Sequence, residues 1–136
     1  MKSETSMVTI YDLLYRLGVT ANYTGFFCIA HAVSLCMEQP DRLLLVTKCL
    51  YPEIAKQYNT NWKAVERNIR SVSKIIWQEN CSLLEELAHR HLEQRPRNAQ
   101  LLAILAATIA AESIGTNTGN SGQIPPPPIE TEVSLL

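Results

Sequence analysis

Residues 51–76 constrain the fold of this chain more than any other segment. They read YPEIAKQYNTNWKAVERNIRSVSKII, which predicts a short helix, a tight turn at Asn59-Thr60 and a longer helix. Apolar and charged residues each recur every three or four positions in the longer helix, so they occupy opposite faces. This is the pattern of a helix-turn-helix whose second helix packs inward on one side. The predicted inward residues are Trp62, Val65, Ile69, Val72 and Ile76.

The rest of the chain is also predicted to be helical, because no segment alternates as a strand does. Further helices are predicted over about residues 6–17, 26–37, 40–50, 82–92 and 99–113. Gly18 is predicted to end the first helix in the left-handed conformation, and the helix after the turn is predicted to break at Glu79-Asn80. We therefore expect a compact all-α fold of about six to seven helices. The predicted buried residues of the 40–50 helix are Leu43, Leu44, Val46, Thr47 and Leu50.

The C-terminal part of the chain divides into two regions of different composition. The last predicted helix, with Asn98 as its cap, is apolar almost all the way round, so it is either central or covered by a partner. From Gly115 onward the sequence is rich in glycine, serine and asparagine and then in proline. Such a segment cannot bury a core. We expect one domain over residues 1–114 and a disordered tail over residues 115–136.

Composition and charge limit the classes of function. The chain has 136 residues and a formal net charge of -1, so a positive field for nucleic acid must be local. The N-terminus lacks an apolar run behind a basic start, and no apolar segment is long enough to span a bilayer. We expect a cytoplasmic protein with no membrane partner.

No catalytic or metal-binding motif is present in the sequence. Phosphate-binding glycine loops, nucleophile elbows and zinc-protease motifs are absent, so we expect no enzymatic activity and no cofactor. None of the four cysteines is paired at C-x-x-C spacing, and no metal site is expected. Cys28, Cys36 and Cys49 lie in apolar helical contexts and are predicted to be small buried residues in a reducing compartment.

The charged face of the second helix is the candidate functional surface. A charged helix face is usually only a solvated face, but this one begins at the end of the helix that enters a DNA major groove in helix-turn-helix proteins. Arg67 and Arg70 are expected to read bases, since arginine pairs bidentately with guanine. Glu66 is placed to orient an arginine or to accept from cytosine N4. Phosphates or neighbouring base edges are expected to meet Lys63, Lys74 and Asn61, and the DNA backbone is expected to meet Thr60 and the turn amides.

These residues resemble a known family. LYPEIAKQYNT followed by VERNIR is similar to the C-terminal effector domains of the stage 0 sporulation protein A family. IYDLLYRLGVTANYTGF resembles the family's opening helix and its IGVPAHIKGY-like loop, and RPRNAQLLAILA resembles its KPTNSEFIAMVA. The resemblance covers roughly residues 9–112. It implies an all-helical domain that binds short asymmetric DNA boxes, commonly as tandem copies, with Glu66, Arg67 and Arg70 matching the recognition helix.

The chain also departs from the family pattern near the start of that helix. Ala64 stands where the family has an arginine, and the loss of one base-reading arginine costs about 1–3 kcal/mol of discrimination. Lys63 and Trp62 each replace a small residue. Helical phase favours an inward position for Trp62 over intercalation.

The resemblance implies a transcription regulator that binds double-stranded DNA, as a homodimer or tandem dimer and in contact with RNA polymerase. The family carries an N-terminal receiver domain that is not present in this sequence, so we expect an excised domain or a stand-alone effector. A stand-alone effector would be controlled by concentration, dimerisation or a partner. The alternative is a helical interaction module that dimerises with a related regulator through its apolar last helix and has lost specific DNA binding.

Overall fold

A computed structural model describes residues 2–119, with side chains described over residues 7–112. Five α-helices make up most of this region: α1 (Lys2–Arg16), α2 (Phe26–Glu38), α3 (Tyr51–Gln57), α4 (Trp62–Ala88) and α5 (Asn98–Gly119). No strand occurs in the described residues. The predicted all-α class is confirmed, although six to seven helices were expected.

One cause of the lower number of helices lies within α4. The two helices predicted on either side of Glu79-Asn80 form one run, in which Asn80 alone has a non-helical backbone (φ -143°, ψ 47°). The predicted break is therefore a kink. The Asn80 side chain donates from Nδ2 to the carbonyl oxygen of Leu17 at 2.8 Å, so the kinked residue holds the C-terminal end of α1.

The predicted helix over residues 40–50 is not an α-helix, and its predicted buried set is largely wrong. Pro40–Leu45 forms a 3-10 helix and Val46–Leu50 a single π-helical turn. The backbone departs from helical geometry at Leu45 (φ -139°, ψ 60°). The apolar residues before and after Leu45 therefore do not share one face of a helix, as the prediction assumed. Leu50 is buried, Leu43 and Val46 are partly buried, and Leu44 and Thr47 are exposed.

Three turns after helices share one hydrogen-bond pattern. In each, a residue with positive φ follows the helix, and the next amide donates back to a carbonyl five residues earlier, as in a Schellman motif. Gly18 (φ 94°) confirms the predicted left-handed end of α1, and Asn59 and His89 take the same role after α3 and α4. The bonds are Val19 N to Leu14 O at 2.9 Å, Thr60 N to Ala55 O at 2.8 Å and Arg90 N to Glu85 O at 3.3 Å.

Helix α5 lies at the centre of the fold, where it packs against α2 and α4. Its large side chains Leu101, Leu102, Leu105 and Ile109 are all buried. The exposed α5 residues with described side chains beyond Gln100 are alanines. The chain's own helices thus cover these four side chains, while Ile104 is partly buried. The helix continues through Gly119, beyond the predicted tail start at Gly115; the remainder of the tail, residues 120–136, lies outside the described residues.

The cysteines are all free thiols, and they occupy different environments. Cys28 and Cys36 are buried, as predicted, whereas Cys49 is exposed on the π-helical turn and Cys81 is partly buried. Burial raises the pKa of Cys36 to about 11, against a smaller opposing effect of the Arg42 charge. Within the described residues, no group of three or more potential ligands is arranged to hold a metal ion. No described helix is long and apolar enough to cross a membrane.

The start of α2 meets α4 at a contact that has no room for a side chain. A Cβ atom built on Gly25 would lie 2.3 Å from the carbonyl oxygen of Asn68 and 2.7 Å from Val72 Cγ2. The first obstacle is backbone, which cannot move aside as a flexible side chain can. Glycine is therefore required here by close packing of the two helices.

We predict that Gly25→Ala destabilises the protein by at least about 1–3 kcal/mol, because the added methyl forces α2 and α4 apart. Chemical denaturation of the full chain measures the change. Thr24→Ala is the matched control, since Thr24 is the adjacent exposed residue and its substitution should leave the midpoint nearly unchanged. Equal midpoints for Gly25→Ala and wild type would contradict the close contact.

Candidate nucleic-acid interface

The turn between α3 and α4 is built by two asparagines. Asn59, in the predicted turn, adopts the left-handed conformation (φ 56°), which lets the chain reverse after the short helix. Asn61 is the N-cap of α4: its backbone is extended, and its Oδ1 accepts from the amide of Ala64 at 2.9 Å. Asn61, and not the preceding Thr60, is therefore the residue that caps α4.

The inward face of α4 matches the prediction except at its first position. Val65, Ile69, Val72 and Ile76 have no exposed surface. Trp62, in contrast, is 40% exposed, and the predicted inward packing is wrong. It is the first residue after the cap and lies only about 20° outside the arc of the four buried residues at 100° per residue, so its place at the helix end, rather than helical phase, leaves the ring exposed. Its ring lies 5.8 Å from Lys63 Nζ.

The outward face of α4 carries uncompensated positive charge. Lys63, Arg67 and Lys74 are all exposed. Within the described part of the chain, none of the three forms an ion pair with a carboxylate. We call the row formed by Lys63, Arg67, Arg70 and Lys74 the basic stripe. Residues 61–78 contain these four basic side chains against one acidic side chain, so the field is locally positive although the whole chain is slightly negative.

Arg70 differs from the other members of the stripe because it has an intrahelical partner. Its Nη2 lies 3.5 Å from Glu66 Oε1, one turn earlier, and both side chains are about two-fifths exposed. Such a pair adds little stability, but it restricts the guanidinium. This arrangement agrees with the expectation that Glu66 orients an arginine.

A side chain from outside the helix-turn-helix joins its two helices. Asn98 Nδ2 lies 3.2 Å from the Tyr51 hydroxyl oxygen on α3 and 3.2 Å from the Glu66 carbonyl oxygen on α4. The predicted capping role of Asn98 is wrong, because α5 begins at Asn98 and the carbonyl of Arg97 accepts the first helical bond from Leu101. Burial raises the pKa of Tyr51, and the Asn98 hydrogen bond lowers it by a smaller amount.

The seven predicted site residues lie together on the turn and the first half of α4. Thr60, Asn61, Lys63, Arg67 and Lys74 are exposed, and Glu66 and Arg70 are half-exposed. One part of the expectation changes: the amides of Asn59 and Thr60 donate to α3 carbonyls, so they are not free to meet a DNA backbone. Sequence patterns did not reveal Asn98, whose partners lie 32 and 47 residues away.

Comparison with known families agrees with this geometry. A family model described as the C-terminal domain of the sporulation initiation factor Spo0A matches residues 10–109. The chain belongs to this family. The match runs from within α1 to within α5 and includes the whole helix-turn-helix. The Spo0A C-terminal family comprises DNA-binding effector domains of sporulation regulators and is not a family of enzymes.

We predict that Asn98→Ala destabilises the protein by about 1–3 kcal/mol, because the buried Tyr51 hydroxyl and the Glu66 carbonyl each lose the hydrogen bond that Asn98 donates. The pKa of Tyr51 should also rise further, since the bond that lowers it is removed. Chemical denaturation and an alkaline NMR titration of the Tyr51 ring measure the two effects. Gln94→Ala, at a nearby exposed position, should change neither; an unshifted Tyr51 in Asn98→Ala would contradict the bridge.

Proposed function

We propose that this protein is a sequence-specific DNA-binding transcription regulator in which residues 61–78 of α4 occupy the major groove. The main observation in support is the basic stripe, which is exposed on the second helix of a helix-turn-helix. The chain that bears this stripe belongs to a DNA-binding family. An α-helix fits the major groove, and its N-terminal residues meet the base edges.

Arg67 and Arg70 are the proposed base-reading residues. Arg67 is exposed and makes no ion pair in the described residues, so its guanidinium is free for bidentate bonding to guanine. Arg70 is held by Glu66, which limits the conformations that are lost when it meets a base. Glu66 serves to orient Arg70 in this arrangement, and acceptance from cytosine N4 would require the pair to open.

Phosphate contacts are assigned to the remaining residues of the site. Lys63 and Lys74 place ammonium groups near the two ends of the stripe, where the groove walls approach the helix. Asn61 uses its Oδ1 as a cap, so only its Nδ2 is available to a phosphate. At the turn, Thr60 contributes its hydroxyl because its amide is already bonded to Ala55. These contacts position the helix without reading sequence.

The proposed partner is double-stranded DNA, bound by a homodimer or by tandem copies that contact RNA polymerase in the cytoplasm. The alternative, an interaction module that dimerises through its last helix, loses its main support. In the described part of α5, Leu101, Leu102, Leu105 and Ile109 are buried within the chain's own core and Ile104 is partly buried.

Two substitutions separate base reading from phosphate binding. We predict that Arg70→Ala relaxes base preference by about 1–3 kcal/mol at one position, whereas Lys74→Ala weakens binding to all sequences alike and reduces the salt slope by about one. Fluorescence anisotropy with a box obtained by binding-site selection and a scrambled duplex gives both quantities. The assignment fails if both variants lose affinity in the same proportion on the two duplexes.

Restoring the missing arginine tests the departure at Ala64. Ala64 is half-buried in the first turn of α4, next to the proposed base-reading residues. We predict that Ala64→Arg increases discrimination for a family-type box by about 1–3 kcal/mol. Ala64→Gln is the control, because it adds length without charge. Equal gains on specific and scrambled duplexes would show that the arginine adds charge only.

A further inference from the structure

The loop between α4 and α5, residues 89–97, returns from the end of α4 and reaches the first half of that helix at its own C-terminal end. Two side chains at its C-terminal end fix this path. Arg95 donates from Nη1 to Ser73 Oγ at 3.2 Å, and Asn98 donates to the Glu66 carbonyl at 3.2 Å. Ser73 and Glu66 lie on either side of Arg70 along the helix. The loop end therefore borders the basic stripe on its Arg70 side.

The loop end brings two more cations to this border. Arg97 is exposed and Arg95 is partly exposed, and within the described residues neither pairs with a carboxylate. The Glu66 carboxylate is paired with Arg70, and the Glu85 carboxylate accepts from the amide of Leu92. The loop's own Glu93 is exposed and offsets part of the charge. A net positive edge remains beside the stripe.

The guanidinium of Arg95 is anchored through one nitrogen, Nη1, and its other N–H groups are available to a ligand. Ser73 is buried, with 1% of its surface exposed, so the atom that accepts from Arg95 is a fixed point in the core. That bond uses one of the five guanidinium donors. The remaining donors can bind an anion, and the side chain loses less conformational freedom on binding than an unanchored arginine would.

The position of the loop suits a phosphate rather than a base. Successive helix residues turn by about 100°, so Ser73 faces about a quarter turn away from Lys74 at the outward face. With side chains the helix is about 10–12 Å across, and it fills a major groove about 12 Å wide. A group on the flank of such a helix meets the groove wall, which is the sugar-phosphate backbone.

We propose that Arg95 and Arg97 bind the phosphate backbone at the edge of the groove that α4 occupies, which extends the DNA interface beyond the helix-turn-helix. Ser73 acts as a positioning residue for Arg95. The proposal rests on the DNA-binding function proposed above. The contacts are independent of base sequence, because phosphate contacts carry no base information.

The test is anisotropy titration of the full chain against a selected box and a scrambled duplex over a series of NaCl concentrations. The variants are Arg97→Ala, Arg95→Gln and the double variant; glutamine keeps a donor for Ser73. Each single variant should lower affinity for both duplexes by the same factor. The slope of log K against log salt should fall by about 0.9 for each phosphate that the variant no longer binds.

Arg90→Ala is the matched control, because it removes the same charge from the other end of the same loop, where the Arg90 amide is bonded to Glu85. Its salt slope should equal that of the wild type. Circular dichroism melting checks that each variant is folded. If Arg95→Gln does not fold, Arg97→Ala carries the test alone, because the Arg97 side chain makes no ion pair in the described residues that its removal would break.

Three results would overturn the proposal, and they are distinguishable. If the wild-type chain binds neither duplex, the proposed DNA-binding function and this extension of the interface are both wrong. If the wild-type chain binds with a salt-dependent affinity, and Arg97→Ala and the double variant have the same salt slope, only the proposed extension of the interface is wrong. A changed slope in Arg90→Ala equal to that of Arg97→Ala would also overturn it, since the effect would then reflect net charge rather than position.

Discussion

Burial of one apolar stripe on α4 fixes the orientation of everything else in the candidate interface. Val65, Ile69, Val72 and Ile76 lose all their exposed surface to the core, and each contributes about 1.5–3 kcal/mol by leaving water. Rotation of α4 about its axis would expose these side chains. The opposite face is therefore held outward by the hydrophobic effect, and the basic stripe needs no contact of its own to stay exposed.

Polar side chains then fix the positions of the helix ends around that stripe. Asn61 caps α4, Asn80 holds the end of α1, and Asn98 joins α3 to α4. Asn61 and Asn80 satisfy backbone groups that helices leave without partners at their ends, whereas Asn98 bonds the Tyr51 hydroxyl and a carbonyl within α4. The packed core sets how the helices face one another, and the asparagines set where they begin, bend and meet.

Sequence patterns predicted those features that depend on neighbouring residues. The all-α class, the turn at Asn59, the left-handed Gly18 and the four inward residues of α4 follow from local spacing and turn chemistry, and the structure confirms them. Features that depend on distant residues were missed. Asn98 finds partners on two other helices, and the segment after Pro40 follows tertiary packing rather than its own apolar periodicity.

The error at Trp62 has a related origin. Helical phase gave an inward position, but phase is least informative at the first residue of a helix, where few neighbours enclose the side chain. The positions of the seven site residues on one surface were predictable because they belong to a single turn and helix. The residues that border them from the α4–α5 loop were not, since their approach to α4 is set by contacts such as Arg95 with Ser73.

The kink at Asn80 divides α4 into a part that presents the basic stripe and a part that packs at the far end of the helix. A straight helix of 27 residues would be about 40 Å long, and any rotation needed to pack its far end would also turn its near end. The non-helical residue interrupts that coupling. Sequence change in the C-terminal half of α4 can then adjust how the domain packs without turning the arginines of the N-terminal half. Such a break lets stability and recognition vary independently within one continuous segment.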